Sequence, residues 1–243
     1  MSFPLDTQYF RRGWNLRPSH HTEVVLDPGN MVSVLDNGVF AYDMTQATAV
    51  LDHIGDRACL NLTNSGSTAT DIVNAQSAAT SGGFQVLAGK KMLAKGSFRM
   101  SATTQEFALG WWAVDTNYWS TLPTDYLVLE KATGVTQFVV KTRKASGTAQ
   151  VSASIGPVLA VDTWYEWAIS VEGDLSTAGK GTVMVAIGSS VSPSNPIPVV
   201  YNEVFGTQVP DTVDLAPGFS WRAGSAANVS GYLGLTAWTA EGT

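Results

Sequence analysis

The chain has 243 residues, 44% apolar and 14% charged, with a net charge of −6 and an isoelectric point near 4.9. This length suits one large all-β domain, with or without a small appendage. The acidic balance argues against nucleic-acid binding, which needs clustered Lys and Arg to neutralise phosphates.

A single cysteine, Cys59, excludes an internal disulfide and a metal site built on cysteines. It is expected as a buried apolar residue in a strand. No run reaches membrane-spanning length, and the first residues hold no apolar stretch of signal-peptide length. The expectation is synthesis in a reducing cytoplasm without membrane contact. On that expectation the sequons Asn61-Leu62-Thr63 and Asn228-Val229-Ser230 are read as chance matches.

Residues 1–22 read as an extended N-terminal arm. They mix Pro4, Gly13 and Pro18 with Phe3, Tyr9, Phe10 and Trp14. They also hold the basic cluster Arg11, Arg12 and Arg17, with His20 and His21 behind it. A solvated tail avoids so many aromatics, so the arm is predicted to pack onto another surface, while its basic cluster reads either as a solvated polar tail or as a docking arm for acidic groups on a partner. Residues 23–63 read as a small β appendage. It holds a hairpin over 31–42, turning at Asn37-Gly38, whose residues supply the positive φ angles a tight turn needs. Short strands follow at 48–54 and 58–63. Residues 64–83, rich in Ser, Thr, Ala, Asn and Gly, read as a flexible linker or loop, with a short helix as one option at 71–79.

From residue 84 to 243 strand signals recur between Gly and Pro punctuation, the pattern of a β-sandwich. The predicted strands are 84–87, 91–100, 105–114, 125–131, 135–143, 148–155, 163–172, 181–188, 197–204 and 229–239. The clearest pair lies in 162–188. There Trp164, Glu166, Ala168, Ser170 and Glu172 alternate with Tyr165, Trp167, Ile169 and Val171, and Val183, Val185 and Ile187 share a face.

This order resembles the concanavalin A-like jelly-roll sandwich, and more narrowly its laminin-G-type and phage-encoded relatives. The matching stretches are 95–100, 107–112, the hairpin 125–143, Asp162-Thr163-Trp164-Tyr165-Glu166-Trp167 with its partner strand, and the closing strand 231–238. The whole chain also resembles tailed-phage virion proteins of decoration (cement) type, in which an apolar arm precedes a neutral jelly roll. That resemblance implies a non-enzymatic structural protein on the capsid exterior that stabilises the shell. Its implied partners are the major capsid protein and further copies of itself, as a homotrimer. The implied capsid-binding residues are Phe3, Tyr9, Phe10, Arg11, Arg12, Trp14 and Arg17. About 20 extended residues reach roughly 60 Å, enough to bridge subunits.

Two other readings stand beside it. A carbohydrate-binding, lectin-like module for host adhesion would use the aromatics around one loop, Trp112, Tyr118 and Trp119, as a surface site. Trp111 and Trp112 must point to opposite faces if both lie in the strand, so one is expected in the core and the other outside. The outer one could contact protein, be partly buried or meet a glycan. A glycoside hydrolase is the third reading. Hydrolases of this fold carry acidic residues alternating on one strand, and no such run occurs. Glu166 and Glu172 share a face roughly 20 Å apart, too far for paired catalysis, and are read as exposed strand carboxylates. No metal or cofactor is expected. Asp115-Thr116-Asn117, with Asp125 beyond, could bind calcium or serve as turn-stabilising Asx residues.

Overall fold

The structure, a computed structural model, describes residues 21–29, 40–66, 68–77, 84–113, 117–189 and 197–241. Fifteen strands occupy them, and no helix occurs among the described residues. In chain order they are β1 (His21–Leu26), β2 (Phe40–Thr45), β3 (Ala47–Ile54), β4 (Arg57–Asn64), β5 (Ile72–Ser77), β6 (Lys91–Met100), β7 (Glu106–Ala113) and β8 (Tyr126–Lys131). Then follow β9 (Val139–Arg143), β10 (Gln150–Val151), β11 (Tyr165–Gly173), β12 (Gly181–Gly188), β13 (Val199–Phe205), β14 (Leu215–Arg222) and β15 (Ser230–Glu241).

The strands form two antiparallel sheets. One runs β13-β12-β11-β6-β15-β4-β3, with β1 also on β15; the other runs β10-β9-β8-β7-β14-β5-β2. The long β15 pairs with β6 along one side. On its other side Ser230–Leu233 meets β4, and Thr236–Glu241 meets β1. A register shift between Leu233 and Thr236 separates the two halves.

Period-two alternation places the core between the sheets. Phe98, Phe107, Trp111, Phe138, Trp167, Trp221 and Trp238 all lie there, essentially without solvent exposure. Phe98 is the hub. It stacks on Tyr165 at 5.5 Å and meets Phe107 and Phe138 at 5.3 Å each. Such pairs add about 0.5–1.5 kcal/mol apiece beyond their area burial. Cys59 is buried in β4, as the sequence suggested, and burial pushes its thiol up to about 11.

One core-facing position holds a charge. Lys131, opposite Phe107, donates to the carbonyls of Thr103 (2.6 Å), Gln105 (2.5 Å) and Ala132 (3.2 Å). These bonds tie the β6–β7 turn to β8. Burial lowers the amine to about 8, opposed by the charge of Glu106.

Residues 40–64 are not an appendage. β2 joins the seven-stranded sheet and β3 and β4 the eight-stranded one, and the chain crosses between sheets at Gln46, with φ 50°. Their partners, β5 and β15, lie far along the chain or outside the segment, so local reading could not place them. The linker at 64–83 likewise contains β5, a fully buried strand, where a helix was one option. β14 was missed because Pro217 and Gly218 interrupt it. Its pairing with β5 begins only at Gly218, so Pro217 stands where β14 has one neighbouring strand, the setting in which a sheet tolerates proline. The strand expected at 84–87 reduces to a single bridge, Phe84 to Leu215. The hairpin turn at Asn37-Gly38 lies outside the described residues.

Candidate functional site

The outer face of the seven-stranded sheet gathers polar and aromatic side chains. On β7, Phe107, Leu109 and Trp111 point inward, which turns Glu106, Ala108 and Trp112 outward. The same alternation brings out Tyr126, Val128 and Glu130 on β8, Asn74 and Gln76 on β5, and Ser220 and Arg222 on β14. Trp112 packs over Gly218 of β14. A Cβ there would stand 2.8 Å from the indole and 2.6 Å from the Ala75 carbonyl.

A turn at Asn117–Thr121 folds back over this face. Thr121 N–H donates to the Asn117 carbonyl (3.1 Å), and the Asn117 side-chain oxygen accepts from the amides of Trp119 (3.2 Å) and Ser120 (3.3 Å). This is the Asx role, one of the two expected for Asn117. Its amide nitrogen donates to Asp43 at 2.7 Å. The turn thereby lays Tyr118 on the sheet. Tyr118 packs against Trp112 and Tyr126 at 5.6 Å each and edge-on to Trp119 at 4.9 Å. Its hydroxyl donates to Glu130 at 2.5 Å, and Asn74 accepts its amide at 3.3 Å.

Glu106 and Glu130 each have a cationic partner. Glu130 also accepts from Lys141 at 2.5 Å. Glu106 accepts from Arg222 and, at 3.1 Å, from the Thr133 amide. The Arg222 guanidinium lies 4.8 Å over the Trp119 ring. Burial first, then the charge of Glu130, holds the Tyr118 hydroxyl well above its ordinary value, and burial raises Tyr126 too. Both phenols therefore remain protonated donors at neutral pH. The Ser220 hydroxyl and the Trp119 indole N–H are buried without a hydrogen-bond partner.

Trp112, Tyr118 and Trp119, expected as a surface aromatic site, do pack together, but two of them are not on the surface. Trp112 is 0% and Tyr118 1% exposed, because the turn closes over them; Trp119 alone is half-buried, at the rim. Trp111 and Trp112 do face opposite ways, yet both are buried. The sequence reading also missed Glu106 and Glu130. They lie on different strands, and β7–β8 pairing makes them diagonal neighbours, Glu130 standing opposite Ala108. Their Cα atoms are then about 7–8 Å apart. A lone acid at the end of each apolar run, Glu-Phe-Ala-Leu and Tyr-Leu-Val-Leu-Glu, was the available signal. Glu166 and Glu172 are paired rather than free, with Arg57 at 2.6 Å and Lys91 at 3.6 Å. Asp125 anchors the next turn by accepting the Ala145 amide at 2.8 Å. Asp115 and all seven arm residues, Phe3, Tyr9, Phe10, Arg11, Arg12, Trp14 and Arg17, lie outside the described residues. No group of three metal-ligating side chains occurs among the described residues.

No protein-family model and no curated protein matches the chain. Solved structures do. A protein of unknown function from Shewanella oneidensis MR-1 superposes with a TM-score of 0.59 at 15% identity, covering 91% of this chain and 87% of that one. Lectin UEA-II, complexed with galactose, gives 0.53 at 12% identity over 90% of this chain and 98% of its own. An endo-β-1,4-glucuronan lyase from the fungus Trichoderma reesei gives 0.52 at 10% identity over 85% and 92%. The chain therefore has the concanavalin A-like jelly-roll fold, as the strand order in 91–188 suggested. The likeness reaches no further than fold, which here serves a lectin and a lyase alike.

Proposed function

We propose that this chain is a non-enzymatic carbohydrate-binding module that meets sugar at the rim of the seven-stranded sheet, around Trp119. The observation that carries it is Tyr118. Its ring sits among Trp112, Trp119 and Tyr126 while its hydroxyl is held by Glu130. A sheet face that holds a hydroxylated ring by aromatic contact and a carboxylate offers the chemistry a sugar ring needs. At the rim, half-exposed Trp119 stands beside Asn117, Ser120 and exposed Asp43. Hydrolysis fits less well, because a catalytic pair needs a protonated acid and a free base flanking the bond. Here Glu106 and Glu130 are each tied to a cation under the turn.

A glycan array followed by calorimetry tests the reading. Trp119→Ala should weaken the bound sugar about thirtyfold, the effect of losing an aromatic hot spot of about 2 kcal/mol. Unchanged affinity would overturn it. Removing residues 1–20, which stops short of β1, separates this reading from shell decoration. Sugar binding should survive that deletion, whereas attachment to capsid shells through the arm would not.

A further inference from the structure

The opposite outer face carries a second set of aromatic and charged side chains that shares no residue with the first. Phe98, Tyr165, Leu233, Leu60 and Leu62 take core positions, which turns Arg99, Glu166, Tyr232 and Asn61 outward. Strand pairing aligns Val50, Asn61, Tyr232 and Arg99 in one row across β3, β4, β15 and β6. Trp164, just before β11, extends the group. It lies over Gly234, where a Cβ would stand 3.7 Å from the indole and 2.2 Å from the Ser97 hydroxyl.

Two arginines are fixed in this group. Arg57 lies 5.4 Å over Trp164 and donates to Glu166 at 2.6 Å. Arg99 lies 5.3 Å over Tyr232 and donates to Asp162 at 2.8 Å. The two rings are 6.5 Å apart. Both are half-buried, Arg57 is exposed, and the Asp162 side chain is 60% exposed. Unlike Trp112, these groups meet solvent.

Stability does not account for the arrangement. Exposed ion pairs contribute little. Asp162 adopts a left-handed φ of 56°, a region that aspartate tolerates better than most residues. Beside Tyr232, the Arg99 Nε and the Asn61 side-chain oxygen are buried without hydrogen-bond partners, and unmade buried bonds are destabilising. Accessible aromatic rings flanked by polar atoms with unmade bonds offer a ligand both stacking and hydrogen-bonding partners.

We infer that this row is a second, independent sugar-binding surface, taking a neutral glycan. Each guanidinium is already neutralised by its own carboxylate. An acidic sugar would have to displace Glu166 or Asp162, and a cationic one would face both arginines. A neutral hydroxylated ring needs only what stands there: flat aromatic surface flanked by fixed donors and acceptors. A protein partner is the competing occupant, since interfaces are also rich in Trp, Tyr and Arg; Val50 is the exposed large apolar residue in the row.

The test titrates the full chain with neutral gluco-, galacto- and manno-oligosaccharides and N-acetylglucosamine oligomers. Affinity is measured alongside the Trp164 indole N–H resonance, assigned through Trp164→Phe. At least one sugar should shift that resonance. Trp164→Ala should weaken its binding about thirtyfold, and Trp119→Ala should leave it within twofold. Arg57→Gln, an exposed change, serves if Trp164→Ala does not fold, with about a tenfold loss expected. Loss with the Trp164 variant but not the Trp119 variant would uphold this surface as independent of Trp119. Loss with Trp119→Ala alone would overturn it. A Trp164 resonance unmoved by every sugar at millimolar concentration, or moved only by self-association, would overturn the inference.

Discussion

On the seven-stranded sheet Trp112 lies over Gly218 and is buried; on the eight-stranded sheet Trp164 lies over Gly234 and stays half-exposed. Each group adds an arginine over an aromatic ring and paired with a glutamate, Arg222 with Glu106 in one and Arg57 with Glu166 in the other. The strands supply similar chemistry to both faces. What separates them is the turn at 117–121, whose Tyr118 completes the first group with the chain's own ring and leaves the second open. Whether such a cluster is core or surface is therefore decided by a loop, not by the strands beneath it.

That comparison breaks most visibly at Tyr118. Tyr118→Ala deletes a buried ring touching three aromatics and removes a donor from Glu130. It should cost about 3–5 kcal/mol in urea unfolding, against about 1 kcal/mol for Trp164→Ala. Equal losses would mean that both groups are structural. The glycines should differ next. At Gly218 an added methyl meets the Ala75 backbone at 2.6 Å, whereas at Gly234 it meets the Ser97 hydroxyl, which can rotate. Gly218→Ala should cost roughly 1–3 kcal/mol and Gly234→Ala distinctly less in the same assay.

Lys131 sharpens the picture through pH. Burial lowers its folded value to about 8, while an unfolded lysine titrates near 10.4. Between these values the unfolded chain binds more protons, so stability contributed by this group rises with pH. Wild type should gain on Lys131→Met by up to about 1 kcal/mol per pH unit between roughly pH 8 and 9.5. Cys59, raised to about 11, acts with the opposite sign but cancels in the difference. A flat difference would show that the three carbonyls keep the ammonium charged. The smallest effect belongs to the partly exposed pair Arg57–Glu166. A double-mutant cycle should give under about 1 kcal/mol, even though burial raises Glu166 against the opposing pull of Arg57.

Much of this was written in local alternation. Trp164 and Glu166 were placed on one face of the extended stretch 163–172 from sequence, and β12 was bounded correctly at 181–188. Segments whose identity depends on distant partners were not legible. β5, Ile-Val-Asn-Ala-Gln-Ser, lacks the aromatic and alternating signature of a strand, yet its Asn74 and Gln76 bind the turn and the end of β7. β14 hides behind Pro217. The burial of Trp112 could not be read either, because its cover is fixed by a bond between Tyr118 and a glutamate on the next strand. Nothing in Asn-Tyr-Trp-Ser says whether that turn folds back or stands away.

The division of β15 between β4 and β1 bears on time as well as on shape. Among the described residues, β1 has no strand partner except β15, His21 standing opposite Glu241. A ribosome must therefore release residues 230–241 before β1 can dock on β15. Until then β1, β4 and β6 each keep an edge open to other chains. Contacts so distant in sequence make folding slow, and the nascent chain is most vulnerable to aggregation just before residues 230–241 emerge. Refolding should be limited by capture of that segment, and a chain truncated before Ser230 should aggregate rather than fold.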